Sequence, residues 1–240
     1  MTGTADPVDL PSPNHGPRPP GTAVDMLLLH YTGMRSAEAA LDRLRDPVAQ
    51  VSAHYLIDEA GRIFRLVAEE RRAWHAGVSC WAGRPNVNDL SIGIELVNPG
   101  HEFGYRPFPA AQMEALLHLA RGICARHPIP PRRVLGHSDV APARKQDPGE
   151  LFDWAWLARH GIGIWPKPGD APASAVLSVR TAQDLLTGIG YDVPRDGRMD
   201  EATHIVITAF QRHFLPLRVT GELDSPTLAR IEGVAAAFAR

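Results

Sequence analysis

The chain has 240 residues, of which 44% are hydrophobic and 22% charged. Those values exclude a disordered chain, a coiled coil and a collagen-like fibre, and the length suits one sizeable domain plus a small one, or one large α/β domain. Its 25 basic and 27 acidic residues leave a formal charge of −2, which excludes the strongly basic field of a general nucleic-acid or anionic-membrane binder. Two excesses need an explanation, 22 prolines and 11 histidines. Histidine is the commonest metal ligand and the usual acid–base side chain.

Residues 1–22 hold Pro7, Pro11, Pro13, Pro17, Pro19 and Pro20, which predicts an extended arm or a flexible tail. Val24 to His30 is a nearly continuous apolar run, as in a strand buried on both faces, and it ends on His30. Ser36 is placed to cap a helix that runs to about Arg45 and stops at Pro47. Ala53–Ile57 and Arg62–Val67 flank a Gly-containing turn and predict a hairpin. In Ser91–Val97 the alternation puts Ile92, Ile94 and Leu96 on one face, and Ser91, Gly93 and Glu95 on the other. An amphipathic helix is predicted from Pro109 through Cys124, then a short strand from Arg133 to Gly136. Prolines predict that the polar stretch after His137 is not helical. A stiff, Pro-rich linker begins at Pro166. Beyond it, Val176–Gly188, Glu201–Phe214 and Ser225–Phe238 read as three helices, and no internal repeat is evident.

Only two cysteines occur, Cys80 and Cys124, outside any C-x-x-C pair, so a thiolate zinc site is excluded and free thiols are expected. A catalytic zinc site takes three protein ligands and keeps one position open. His30 at a strand end, His137 just after a strand and Asp147 in the following loop are candidates for such a set. In an extended segment Lys145 and Asp147 would face the same way. Spacing alone does not choose between ligands and ordinary buried histidines.

Five separated motifs narrow the choice: Leu29-His30-Tyr31-Thr32, Ser52 to Ile57, Ala73-Trp74-His75-Ala76-Gly77, Asn88 to Leu96, and His137 to Gly149. In this order they resemble the type-2 zinc N-acetylmuramoyl-L-alanine amidases, relatives of phage T7 lysozyme and of the peptidoglycan recognition proteins. The tail, with Ala209 to Phe214 and Thr220 to Asp224, resembles a peptidoglycan-binding domain, an order similar to that of the AmiD-like amidases. The resemblance implies an α/β fold with a central mixed β-sheet flanked by helices, and a small C-terminal three-helix domain. It implies a Pro-rich arm over 1–22, a catalytic domain over 23–168, a linker over 169–174 and the helical domain over 175–240. It also implies one Zn2+ per chain on His30, His137 and Asp147, with Glu95 as the acid–base carboxylate and Lys145 as the cation near the developing oxyanion. Tyr31, His54, Trp74, His75 and Asn88 would then line the substrate cleft. Asp139 reads as a loop-capping carboxylate. His118, His127, His160, His204 and His213 have no motif behind them and read as surface or helix residues.

The implied reaction is hydrolysis of the amide between N-acetylmuramic acid, or its anhydro form, and L-alanine, with peptidoglycan or anhydro-muropeptides as substrate. The alternative is a muropeptide-recognition protein of the same fold that does not cut. Such relatives lose a metal ligand, whereas this chain keeps all three. No apolar run approaches the ~18–20 residues of a membrane span. Met1 to Thr22 lacks a basic start followed by an apolar core, so a cytoplasmic location is expected, with the periplasm or envelope as the alternative.

Overall fold

The computed structural model describes residues 6–166 and 178–239, so the linker expected over 169–174 lies outside the described residues. In chain order the elements are β1 (Val8–Asp9), β2 (His15–Pro17), β3 (Met26–Tyr31), α1 (Ala37–Arg45), β4 (Tyr55–Ile57), β5 (Ile63–Arg65), β6 (Arg71–Ala73), β7 (Cys80–Trp81), β8 (Arg84–Pro85), β9 (Ser91–Leu96), α2 (Gly100–Phe103), α3 (Ala110–Arg126), β10 (Val134–Gly136), α4 (His137–Val140), α5 (Trp154–Arg159), α6 (Val179–Ile189), α7 (Glu201–Phe214) and α8 (Ser225–Phe238). By packing, the chain forms two compact units, Met1–Gly77 with Asn86–Leu135, and Val78–Pro85 with Gly136–Arg240.

The first unit is built on a six-stranded sheet in the order β1-β5-β4-β9-β3-β10. It is mixed: β3 and β4 both run parallel to β9, while β5 is antiparallel to β4. Met26, Leu27, Leu28 and Leu29 are fully buried, as a strand covered on both faces requires. The β4–β5 turn is closed by Asp58, whose Oδ1 accepts from the N–H groups of Ala60 and Arg62. Gly61 stands there at φ 82°, and a Cβ on it would lie 2.7 Å from the carbonyl oxygen of Ala111 on α3. Helix α3 is tied to the sheet by a buried polar anchor. The Gln112 side-chain amide donates to the carbonyls of Ile57 and Val97 at the ends of β4 and β9. Ser36 caps α1 as expected, its hydroxyl accepting from the Ala39 N–H.

The N-terminal arm is extended over the described part, and its short strands β1 and β2 pair with β5 and β6. Arg18 fastens it. Its guanidinium donates to the carbonyls of Glu69, Asn88, Asp89 and Ser91 at 2.9–3.1 Å, and Nη2 lies 3.0 Å from His54 Nε2. His54 is fully buried; its Nδ1 accepts from the Gly93 N–H, and Nε2 faces the Arg71 carbonyl. Burial first, and the Arg18 charge second, pull the His54 pKa down to about 3, so the ring is neutral. His127, at the C-terminal end of α3, is paired with Glu69 at 2.7 Å.

The second unit contains the hairpin β7–β8, the segment from Gly136 to Pro166 and the three C-terminal helices. Contrary to the expectation of no helix after His137, α4 forms one turn, because the first proline, Pro142, lies beyond it. The C-terminal helices also contain a repeat that the sequence reading did not find. Gln183 on α6 accepts from the Gly197 N–H and donates to the Arg198 carbonyl and Thr203 Oγ1. Gln211 on α7 does the same for the Gly221 N–H, the Glu222 carbonyl and Thr227 Oγ1. Asp200 and Asp224 cap the two following helices through the Thr203 and Thr227 N–H groups. Both cysteines are free thiols.

His54 sets an expected pH dependence. The native state refuses a proton that the unfolded chain accepts below its ordinary pKa of 6.5, so stability is fully present above pH 6.5 and is lost as pH falls towards 3. Burial works against the Glu69 charge, but hydrogen bonds from Arg126, Tyr55 and His127 outweigh it and hold its pKa at about 2. That adds a loss of the same sign below pH 4.5. Melting temperatures of metal-free protein should therefore fall between pH 6.5 and 4.5, and His54→Gln should flatten that slope while lowering the neutral-pH value. An unchanged slope in the variant would remove His54 as the titrating group.

Candidate active site

The parallel register of β3 with β9 makes His30 the partner of Glu95. Partners in a parallel pair project from the same face, so the imidazole and the carboxylate stand side by side on the face that also carries Gly93 and Ser91. Ile92, Ile94 and Leu96 are buried on the other face, as the alternation predicted.

Gly93 makes room for a second histidine. An ideal Cβ there would lie 2.5 Å from Cγ and Nδ1 of His75, so the His75 ring rests directly on the strand. His75 Nδ1 is 3.0 Å from His30 Nε2, and its Nε2 is 3.3 Å from Ser91 Oγ, which donates to the Val87 carbonyl at 2.7 Å. The direction of the chain follows from its end. Ser91 spends its proton on Val87 and accepts from His75 Nε2–H; His75 Nδ1 then accepts from His30 Nε2–H. That order would leave Nδ1 of His30 as the nitrogen that faces a metal. This is how a partner fixes the tautomer and orientation of a ligating histidine. The Asn88 side chain holds the loop beneath, its Oδ1 accepting from the N–H groups of His75 and Ala76.

The other cleft candidates are placed differently. Tyr31 alternates to the face away from His30, where its hydroxyl meets His101 Nδ1 at 2.9 Å and its ring lies against His101 and Tyr105. Trp74 is half-buried, its backbone N–H donating to Ser52 Oγ. His54 is a strut between the arm and β9 rather than a lining residue, because it is fully buried and both its ring nitrogens are engaged. The orienting role of His75 was not read from the sequence; a glycine inside an otherwise apolar strand was the available signal for close approach.

His137 opens α4 directly after β10. Its Nδ1 lies 3.1 Å from Asp147 Oδ2, both side chains are buried, and the Asp147 carbonyl accepts from the Ser138 N–H at 2.9 Å. Lys145 is half-buried two residues before Asp147. One ligand atom from each of His30, His137 and Asp147 lies within 4.8 Å of the other two. Two imidazoles and one carboxyl group, all buried, are a donor set of the kind that holds Zn2+ with one position left open.

The N-acetylmuramoyl-L-alanine amidase family model matches residues 20–150, more than half of the chain. The chain belongs to this family. A peptidoglycan binding domain model matches residues 177–231. N-acetylmuramoyl-L-alanine amidase AmiD of Escherichia coli is 40% identical over 231 residues, covering 88% of this chain and 82% of that one. The solved complex of that amidase with anhydro-N-acetylmuramic acid-L-Ala-D-γ-Glu-L-Lys is similar at a TM-score of 0.78, over 91% of this chain and 89% of the other. AmpDh3 of Pseudomonas aeruginosa in complex with an anhydromuramic pentapeptide is 33% identical, with a TM-score of 0.76 over 97% of both chains. No described helix is long and apolar enough to cross a membrane.

In this amidase the support beneath His30 is open to test. Gly93→Ala should drive a methyl group into the His75 ring and weaken zinc binding by about 10–100-fold, as loss of a ligand-orienting partner does elsewhere. Competition with a chromophoric chelator measures this, and an unchanged affinity would remove His75 from the role.

Proposed function

We propose that the protein is a zinc-dependent amidase that hydrolyses the bond between anhydro-N-acetylmuramic acid and L-alanine in soluble muropeptides. The observation that carries the reading is the buried donor set of His30, His137 and Asp147, with Glu95 in register beside His30. Both substrate complexes of similar proteins hold anhydromuramyl peptides, which supports that substrate class.

A zinc ion on the three ligands would supply Lewis-acid polarisation and make water a competent nucleophile at neutral pH. The rest falls to the chain. Glu95 accepts the proton of the attacking water and returns it to the amine of L-alanine as the amide bond breaks. The Lys145 ammonium faces the oxygen of the scissile carbonyl as negative charge develops there, a preorganised term that needs no rearrangement during reaction. His75 keeps the His30 ring from turning.

Glu95→Gln should retain one zinc per chain yet lose about 10²–10⁴-fold in kcat/KM on an anhydromuramyl tripeptide, since a positioned acid–base group contributes that much. His30→Ala should lose metal and activity together. Release of the free peptide, followed by liquid chromatography with mass detection, reports the rate, and elemental analysis reports the metal. Near-normal turnover by Glu95→Gln, or full activity in protein stripped of metal, would overturn the assignment.

A further inference from the structure

Asp139 lies on α4 two residues after His137, and its side chain is completely buried. Both carboxylate oxygens are occupied. Oδ2 accepts from the Gly136 N–H at 2.8 Å, the local cap that the sequence suggested, and lies 2.7 Å from Nδ1 of His213. Oδ1 accepts from the Tyr191 hydroxyl at 2.5 Å. Tyr191 and His213 come from the C-terminal helical region, 52 and 74 positions further along the chain.

We propose that Tyr191 and His213 are positioning residues of the metal centre, which hold the His137 turn in place through the Asp139 carboxylate. The proposal rests on the reading of His137 as a metal ligand. Helix α4 has only four residues, too few to maintain its own geometry, so its orientation has to be imposed from outside. A buried carboxylate imposes it strongly, because leaving either oxygen without a donor is expensive.

The donors themselves cannot move freely. The His213 ring is sandwiched between Trp154 and Phe214, with both centroid separations 3.8 Å and interplanar angles of 20° and 4°. The Tyr191 ring meets Trp81 edge-on at 4.9 Å, and the Gly190 backbone is pressed onto the same indole. An apolar contact would have sufficed to dock the helices. A carboxylate beside a ligand, met by two aromatic-clamped donors, transmits position as well.

The test uses the full-length protein. Tyr191→Phe removes a single oxygen, His213→Leu removes the donor, and His213→Asn keeps a donor near the place of Nδ1. Zinc affinity is read by competition with a chromophoric chelator, alongside melting of the metal-free protein and kcat/KM on a soluble anhydromuramyl tripeptide. Gln183→Leu serves as the structural control, since it breaks the buried hub of the helical region without touching Asp139.

Tyr191→Phe and His213→Leu should weaken zinc binding by about 10–100-fold, and His213→Asn should restore it to within about threefold of the parent. Gln183→Leu should lower the melting temperature yet leave zinc affinity unchanged well below the melt. Unchanged affinity in Tyr191→Phe and His213→Leu, or an equal loss in Gln183→Leu, would overturn the proposal while leaving the amidase reading intact. A parent protein that binds no zinc would instead overturn the ligand assignment on which both rest.

Discussion

The parallel pairing of β3 with β9 is the constraint on which the reaction chemistry of the first unit depends. Slipping that register by one residue would send either His30 or Glu95 to the opposite face, since side chains alternate with period two. The pairing is held by burial rather than by any catalytic group. Met26 to Leu29 and Ile92 to Leu96 exclude water on both sides, and Gln112 fixes the strand ends from α3. The polar site therefore sits at the end of one of the driest parts of the sheet. This has a chemical use: hydrogen bonds such as those of the His30–His75–Ser91–Val87 chain are stronger in a dry setting than in water.

The same sheet face explains why the N-terminal arm is folded down at all. Its prolines cannot build a central strand, and its described strands are only two and three residues long. Arg18 compensates by collecting carbonyl oxygens from two separate stretches, the loop at Glu69 and the segment Asn88–Ser91 that leads into β9. Two of those positions adjoin the site: Asn88 supports the His75 backbone, and Ser91 receives the His75 ring. Burial lowers the Arg18 pKa to about 10, which still leaves it charged at neutral pH. Burial is the main reason that His54 stays neutral and the Arg18 cation adds to it, and only a neutral His54 can accept the Gly93 N–H through Nδ1. The arm thus bears on the glycine that seats His75.

The positions of the candidate residues were legible in the sequence where the pattern is local, while their roles came from the resemblance of five motifs. Strand-end histidines, the Ser-x-Gly-x-Glu alternation and the polar His137–Gly149 loop announce themselves within short windows, and the helix bounds Glu201–Phe214 and Ser225–Phe238 follow from caps and periodicity. What stayed hidden are pairings between distant positions. Nothing near Arg18 indicates that it binds His54, and nothing near His213 indicates that it is buried against Asp139. The duplicated glutamine hubs escaped notice because their repeat is carried by scattered Gln, Gly, Asp and Thr positions rather than by a contiguous motif. The single turn at His137 was missed for a different reason. Proline restricts the residue before it, and Pro142 leaves the first turn untouched.

These differences have a common logic in the second unit. Gln183 and Gln211 each bind the loop that follows their own helix and a threonine of the next one, so they stabilise the helical region without reference to the rest of the chain. Asp139 is the opposite case. It is an ionisable carboxyl group, completely buried, and two of its three partners are supplied from far along the sequence. Charged groups are rarely buried to gain stability, because an apolar replacement of equal volume is often as stable or more so; their best-attested use is to enforce one arrangement over its near alternatives. A one-turn helix carrying a metal ligand is where such enforcement matters, since an error of an ångström there would separate His137 from Asp147. The helical region therefore contributes to the arrangement of the ligand-bearing loop whatever it binds on its outer surface.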